Sequence, residues 1–316
     1  MYIEKIKVMD CTVRDGGLMN KWQFSDEFVK AVYDACAEAG VDYMEIGYIS
    51  SEKAFSRKEV GPWKFCSNKD LKRIVGENNN SIKLSAMADI GRIDEGDIPK
   101  AADSVLSMIR VACYAHQIDK AIKLAHHCMD KGYETSINLM AVSSVSEPDL
   151  EDVLNDVSKS NVPIFYLVDS FGSMHCDSVK YLMKKYKDAL PGKEIGIHAH
   201  NNMQLATSNT ITALIDGATM LDATLLGMGR GAGNCPIEIL IAFLKNPKYR
   251  LLPLFKVIQE QILPWSKKID WGYHIPYLIT GALNTHPRSA IAWMESERKD
   301  DFVSFMKEMH DYELLE

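Results

Sequence analysis

This sequence is short of the features that would place it outside the ordinary globular enzymes. No run approaches the roughly 18 apolar residues of a membrane-crossing helix. The opening MYIEKIKVMD lacks the basic stretch followed by an apolar one that marks an export signal. The seven cysteines (Cys11, Cys36, Cys66, Cys113, Cys128, Cys176, Cys235) are odd in number and form no CxxC pair. That pattern excludes a disulfide framework and predicts free thiols in a reducing cytoplasm. Basic residues are in deficit, with 36 Lys and Arg against 43 Asp and Glu and a net charge of −7. No basic stripe of the kind that grips nucleic acid is visible. Neither nucleic acid nor membrane is therefore expected as a partner, whereas small polar or anionic substrates are compatible. Internal repeats, low-complexity tracts and long Pro/Gly/Ser linkers are absent as well, and 47% hydrophobic with 25% charged residues is normal usage for a folded chain.

What is present is a regular alternation. Short apolar or β-branched runs recur as KIKVMDCTV, YMEIGY, IKLSAMAD, VLSMIRVA, TSINLMA, IFYLVD, EIGIHAH and LDATLLG. Helical periodicity lies between them, at 25–39 behind an N-cap-like Ser25, 68–77, a short stretch near Ile98, 117–131, 147–158, 178–189, 203–216 and 236–244. A strand-plus-helix unit of about 30 residues is what a parallel strand needs to return in the same direction. Eight such units close into a (β/α)8 TIM barrel of about 250 residues, and an open doubly wound sheet with about five or six strands is the competing architecture. Beyond residue 244 the pattern is helical only, at 254–269, 277–283, 288–295 and 300–314. The reading is an α/β protein, with a TIM barrel over 1–245 and a C-terminal helical extension over 246–316 packed on it.

In such a barrel the βα loops meet at the C-terminal ends of the strands, so polar residues there are the candidates for chemistry. Strand alternation in EIGIHAH puts Gly196, His198 and His200 on one side and Ile195, Ile197 and Ala199 on the other. The imidazoles then face the mouth. Two histidines at i and i+2 bind one divalent cation through neutral ring nitrogens, with a carboxylate to balance the charge. Asp15 in TVRDGG, expected at the end of the first strand, supplies that carboxylate. Mg²⁺ or Mn²⁺ suits such mixed oxygen and imidazole donors better than a structural zinc does. The same parity lets Glu45, Arg110, Asn138 and Asp169 point into the mouth, the last three as substrate-binding groups. The last βα loop, GMGRGAGNCPIE, carries Gly227, Gly229, Gly231 and Gly233 before Pro236 at an expected helix N1. It fails as a dinucleotide fingerprint, because no strand follows to complete the unit. A tight turn, a close backbone approach to a ligand, an anion-favouring helix N-terminus and a ligating Asn234 all stay open.

The motifs Asp10-Cys-Thr-Val-Arg-Asp-Gly-Gly17, His198-Ala-His200 and Gly227-Met-Gly-Arg-Gly-Ala-Gly-Asn234, in that order, resemble the DRE-TIM metallolyase superfamily. Its members include 4-hydroxy-2-oxovalerate aldolase, hydroxymethylglutaryl-CoA lyase, and the isopropylmalate and homocitrate synthases. YMEIGY, IRVACYAH and YLVDSFG look most like the 4-hydroxy-2-oxovalerate aldolases. The resemblance implies Asp15, His198 and His200 as metal ligands, Arg14 on the substrate's oxo or enolate oxygen, and Asn234 at the position of a ligating Asn in the lyase and synthase branches. Those aldolases place a His, their general base, three residues after the metal-binding Asp, and this chain has Leu18 there. The segment from Gly17 to Phe24 is similar instead to a less characterised aldolase-like subgroup.

The resemblance thus implies a metal-dependent aldolase that cleaves or forms a hydroxy-2-oxo acid through a pyruvate-type enolate and an aldehyde. A divalent ion chelated by a 2-oxo acid stabilises the charge that develops on the ketone oxygen, and Arg14 reinforces it. Glu45, His116 and Tyr277 are the candidates for the base. A Claisen-type synthase joining acetyl-CoA to a 2-oxo acid and a non-catalytic barrel serving as a binding module are the rivals. In the resembling aldolases the C-terminal helices help dock an aldehyde dehydrogenase. Trp265, Trp271 and Trp293 are suited to such a surface, to a homo-oligomer contact, or to the seal between extension and barrel.

Overall fold

The computed structural model describes residues 5–313. Eight parallel strands, β1 (Lys7–Asp10), β2 (Tyr43–Tyr48), β3 (Lys83–Asp89), β4 (Leu106–Cys113), β5 (Glu134–Leu139), β6 (Ile164–Asp169), β7 (Glu194–Ala199) and β8 (Met220–Ala223), pair in chain order, and β8 pairs back with β1 to close the barrel. The helices around it are α1 (Thr12–Asn20), α2 (Asp26–Ala39), α3 (Asn68–Val75), α4 (Ile118–Asp130), α5 (Glu147–Lys159), α6 (Cys176–Ala189), α7 (Ala206–Ile215) and α8 (Ile237–Leu244). Serines open several of them: Ser25, Ser67 and Ser146 accept from the backbone N–H of Phe28, Asp70 and Asp149, satisfying donors that a helix start leaves free.

Alternation along each strand sorts the side chains. Met44, Ile46, Ile109, Val111, Phe165, Ile195 and Ile197 pack under the helices. Met9, Tyr43, Met108, Ile164, Tyr166, Val168 and Met220 fill the barrel interior. Size matters in that layer: a Cβ on Gly196 would lie 2.5 Å from the Tyr166 ring, so only glycine leaves the ring its place.

Several local expectations change. The first strand stops at Asp10, whose carboxylate accepts from Thr12 N (3.2 Å) and Thr12 Oγ1 (2.5 Å) and turns the chain into α1. Arg14 and Asp15 therefore ride the first turns of a helix instead of a strand end. Near Ile98 there are two 3₁₀ turns, Glu95–Asp97 and Ala101–Asp103, because Pro99 between them cannot donate to a continuing helix. Pro236 is the N-cap of α8, one position before the expected N1. The 254–269 helix is α9 (Leu251–Val257), a π-helical turn (Ile258–Ile262) and α10 (Leu263–Ser266). Pro264 removes a backbone donor there and crowds the carbonyl four residues earlier, which widens the turn.

The extension comes in two parts. Leu254, Val257, Ile258 and Ile262 belong to the same core as the barrel. The helices α11 (Ile275–Ala282), α12 (Arg288–Met294) and α13 (Phe302–Glu313) gather around Tyr277, Ile279, Ala290, Trp293, Phe305 and Met309. This second part lies over the mouth and bonds the loops after four strands. Asn284 Nδ2 donates to Ser143 O (3.0 Å), Ser173 Oγ to Asn284 Oδ1 (2.6 Å), Asn202 Nδ2 to Tyr277 O (3.2 Å) and Trp271 Nε1 to Leu226 O (3.2 Å). Trp265 packs on Phe24 and Phe28, and Trp293 on Phe305. Trp265 and Trp271 thus seal the extension onto the barrel, whereas Trp293 packs inside the extension. No helix among the described residues is long and apolar enough to cross a membrane. All seven cysteines are free, and all but Cys176 are buried.

Candidate active site

β7 delivers His198 inward and His200 just follows the strand, while α1 presents Asp15 from the neighbouring side of the barrel. One ligand atom from each of the three lies within 4.8 Å of the others. Each imidazole is aimed by its far nitrogen: His198 Nδ1 is 3.0 Å from Asp222 Oδ2, and His200 Nδ1 is 3.3 Å from Gly233 O. That turns both Nε2 atoms toward the common point, His198 Nε2 with Arg14 Nη2 at 3.4 Å beside it, the arrangement in which an outer partner fixes a ligating ring. Burial pushes the His200 pKa well below its ordinary value, so the ring is neutral and its lone pair free. Burial alone would raise the Asp15 carboxyl, but the Arg14 guanidinium beside it holds it well below the usual carboxylate range. A position in the first turn of α1, at the positive end of the helix, favours the same ionised form.

Asn234 joins the cluster from the last βα loop. Its Nδ2 donates to Asp15 Oδ2 (2.6 Å), and its buried Oδ1 has no hydrogen-bond partner. A buried acceptor without a donor is costly, and an ion at this point would satisfy it. The loop reaches in because of Gly229: a Cβ there would stand 2.4 Å from Asp15 Oδ2 and 2.1 Å from Asn234 Nδ2. A second cluster, Cys11, His198 and Asp222, also lies close together. The Arg110 guanidinium already occupies it, 2.6 Å from Asp222 Oδ2 and 3.7 Å from Cys11 Sγ, and a fixed cation there repels a divalent ion. The donor set and the orphaned oxygen both fit a divalent metal at Asp15, His198 and His200.

Behind this point runs a chain of alternating charges. Arg14 donates from Nη1 to Asp15 Oδ1 (2.7 Å) and from Nε to Glu45 Oε2 (2.6 Å); Glu45 Oε2 also meets Arg110 Nη1 (3.0 Å). Arg110 continues to Asp222, which holds His198. Burial would raise Asp222, but Arg110 and His198 bring it down to about 2. Arg110 lies over the Tyr166 ring at 4.3 Å. Every member of the chain is buried, so these charges are screened by each other and not by water.

Asp222→Asn is a gentle probe of this support. The amide keeps its shape but loses the charge that orients and polarises His198, and metal affinity is expected to fall about 10- to 100-fold. Calorimetric titration of metal-free protein with Mn²⁺ checks it; an unchanged affinity means that the Asp222–His198 contact does not tune the site.

The open space at the mouth is a cavity of about 480 Å³ whose wall includes Arg14, Asp15, His198, His200 and Asn138. Asn138 Oδ1 accepts from Ser136 Oγ, and its buried Nδ2 has no partner, which leaves a donor to spare. Other expected residues lie elsewhere. Asp169 shares the outward parity of Phe165 and Leu167, because Tyr166 and Val168 take the inward positions. Its carboxylate accepts from Ser173 N (3.1 Å) and Met174 N (3.3 Å) and shapes the loop after β6. Arg110 and Glu45 point inward but sit below the cavity, fully buried in the charge chain. His116 is exposed in a neighbouring depression, stacked on Tyr114. Tyr277 packs against Gly231 within the extension. Sequence reasoning missed Asp222, which shares Met220's inward parity, and Tyr48, which a β-bulge between Glu45 and Gly47 brings to the cavity wall. It also missed Asp89, Arg92, Arg230, His286 and Arg288 on that wall.

The HMGL-like family profile matches residues 5–262, which includes every member of the Asp15–His198–His200–Asn234 cluster. The chain belongs to the HMGL-like family. Among curated HMGL-like relatives, the 4-hydroxy-2-oxovalerate aldolase of Thermus thermophilus is 31% identical over 277 residues, 83% of this chain and 77% of that protein. The oxaloacetate decarboxylase of Mycobacterium tuberculosis is 32% identical over 287 residues, 84% of this chain and 82% of that protein. The crystal structure of the N-terminal domain of a candidate aldolase from Bacteroides vulgatus matches with a TM-score of 0.79 at 30% identity, covering 93% of this chain and 98% of that one. The HMG-CoA lyase of Brucella melitensis shares the fold, with a TM-score of 0.67 at 17% identity and coverage of 83% and 99%. Family and site together make this HMGL-like chain an enzyme, a metal-dependent carbon–carbon lyase of the aldolase kind.

Proposed function

We propose that the chain cleaves a hydroxy-2-oxo acid between C3 and C4 into a 2-oxo acid enolate and an aldehyde, or joins the two in reverse. The observation that carries this reading is the Asp15–His198–His200 cluster with Arg14 beside it, its Nη2 only 3.4 Å from His198 Nε2. A divalent ion held there, Mg²⁺ or Mn²⁺ by the chemistry of its donors, supplies a Lewis acid for the carboxylate and ketone oxygens of a 2-oxo acid. Arg14, pinned by Asp15 and Glu45, turns its remaining N–H groups toward the ketone oxygen. Being already aimed, it stabilises the charge that builds there without reorganising. The free Nδ2 of Asn138 donates to the substrate carboxylate.

The hydroxyl proton must also leave. Glu45 is locked between two guanidinium groups, and Leu18 stands on the cavity wall where the resembling aldolases carry their His. Burial, Arg230 and Arg288 push His286 down to about 4, too low for an effective base. Asp89, on the wall beside Arg92, is the proton acceptor in this reading.

Leu18 favours a second reading, loss of CO2 from a 2-oxo acid carrying a carboxylate on C3, as in the named activity of the M. tuberculosis relative. That reaction forms the same enolate with no hydroxyl proton to remove. The deciding assay couples pyruvate release to lactate dehydrogenase, with 4-hydroxy-2-oxovalerate and oxaloacetate offered in parallel to Mn²⁺-loaded protein. Chelation should stop turnover, and Asp89→Asn should slow cleavage of the hydroxy acid about 100-fold while sparing decarboxylation. Turnover of oxaloacetate alone selects the second reading, and metal-independent or absent turnover of both removes the lyase assignment of substrate.

A further inference from the structure

The cavity holds more positive charge than a simple 2-oxo acid needs. Arg14 is neutralised by Asp15 and Glu45, and Arg92 by Asp89 at 3.2 Å. Arg230 and Arg288 line the same cavity, and among the described residues neither pairs with a carboxylate. Arg230 Nη2 donates to Ser170 O at 3.1 Å, and its Nη1 lies 3.4 Å from His286 Nε2. Neither contact supplies negative charge. Burial lowers the Arg230 pKa below its ordinary value despite the pull of Asp15, as expected of a partly desolvated cation that no bonded anion compensates. A half-buried guanidinium of this kind binds carboxylate or phosphate in a fork that lysine cannot reproduce.

Position gives the charge a meaning. Gly229 presses against Asp15, so Arg230 stands one residue from the metal cluster. Its other neighbours, Ser170 after β6 and His286 before α12, place it between that cluster and the extension, where Arg288 begins α12. A substrate anchored at the cluster by its 2-oxo acid end therefore meets these two arginines with the part that becomes the aldehyde.

We infer that Arg230 and Arg288 form a second anion subsite, and that the aldehyde fragment handled here bears its own carboxylate or phosphate. This rests on the lyase reading above. It also bears on the second reading: a guanidinium gripping a carboxylate stabilises the charged ground state and opposes its loss as CO2, so the gripped anion lies beyond the bond that breaks.

The test measures aldol addition of pyruvate by Mn²⁺-loaded protein to acetaldehyde and propanal, to succinate semialdehyde, and to glyceraldehyde phosphate. An anionic acceptor should be preferred in kcat/KM, and the better of the two identifies the group as carboxylate or phosphate. Arg230→Gln and Arg288→Gln should each erase about 10- to 100-fold of that preference while leaving the rates with the neutral aldehydes near the parent's. Arg288 is exposed, so its replacement does not endanger folding. Equal rates with neutral and anionic aldehydes, or a preference that survives both substitutions, overturn the subsite and leave the lyase reading standing. Calorimetry supplies a readout independent of turnover: 2-oxoglutarate should bind the metal-loaded protein more tightly than pyruvate, and Arg230→Gln should remove the difference. No turnover with any aldehyde but this binding pattern intact sinks the lyase reading and keeps the subsite; equal binding sinks the subsite.

Discussion

Asp15→Asn and His200→Ala are each expected to leave a folded barrel that no longer retains a divalent ion and no longer turns over. Three donors converge on one point, and each is buried; the further free donor there, Asn234 Oδ1, is an uncharged amide oxygen that does not replace a carboxylate or an imidazole. A Lewis acid contributes several kcal/mol to such a reaction, and at 1.36 kcal/mol per tenfold the loss in rate should reach at least about a thousandfold. Arg14 keeps Glu45 in both variants, and the amide introduced by Asp15→Asn can still accept from Arg14, so the fold should survive. Metal content after gel filtration, measured together with turnover and circular dichroism, checks the prediction. A variant that keeps one tightly held ion per chain would show that the cluster is not the metal site.

Arg110→Met should strike stability rather than chemistry. Arg110 has no exposed surface and bridges Glu45 and Asp222 inside the barrel. Removing it leaves Glu45 with Arg14 alone and Asp222 with only the His198 ring, two carboxylates inside the barrel with no water to screen them. Breaking a buried ion pair from one side costs about 3–5 kcal/mol, which would appear as a lower urea midpoint with an unchanged slope. Replacing Arg110, Glu45 and Asp222 together by apolar residues of similar volume should recover most of that stability, since the charges then vanish as a set. The same triple variant should stay inactive, because Arg14 and His198 lose the groups that aim them. A stable Arg110→Met protein would mean that the charge chain is not a structural support. The contrast separates two uses of the one network, holding the barrel interior and holding the reacting groups still.

The period of the chain carried most of the architecture. Eight runs with a period of two, each followed by a helical one, admit few arrangements, because every parallel strand needs a crossover and the crossovers cover the sheet. Parity carried part of the site: His198 and His200 had to share a face, and that face had to be the inner one because Ile195 and Ile197 needed cover. Parity misleads where its starting point is misjudged. Counting from Leu167 makes Asp169 inward, but the bulkier Tyr166 is the residue for which the glycine at 196 leaves room. Period gave no warning that α1 begins at Thr12, since the turn is made by a side-chain bond from Asp10, a local event with no repeat to it.

Covalent order alone thus determined the barrel, the pair of imidazoles on one strand and the glycine-rich last loop, because these depend on spacing within a few neighbouring residues. Only the tertiary structure decided that Asp222 aims His198, that Glu45 lies between two arginines, and that Arg230 and Arg288 reach the cavity uncompensated. The reason is physical: the charge a group carries into a reaction depends on which distant charges and how little water surround it. Separations such as the 112 positions between Arg110 and Asp222 leave no periodic trace for a reader of the sequence.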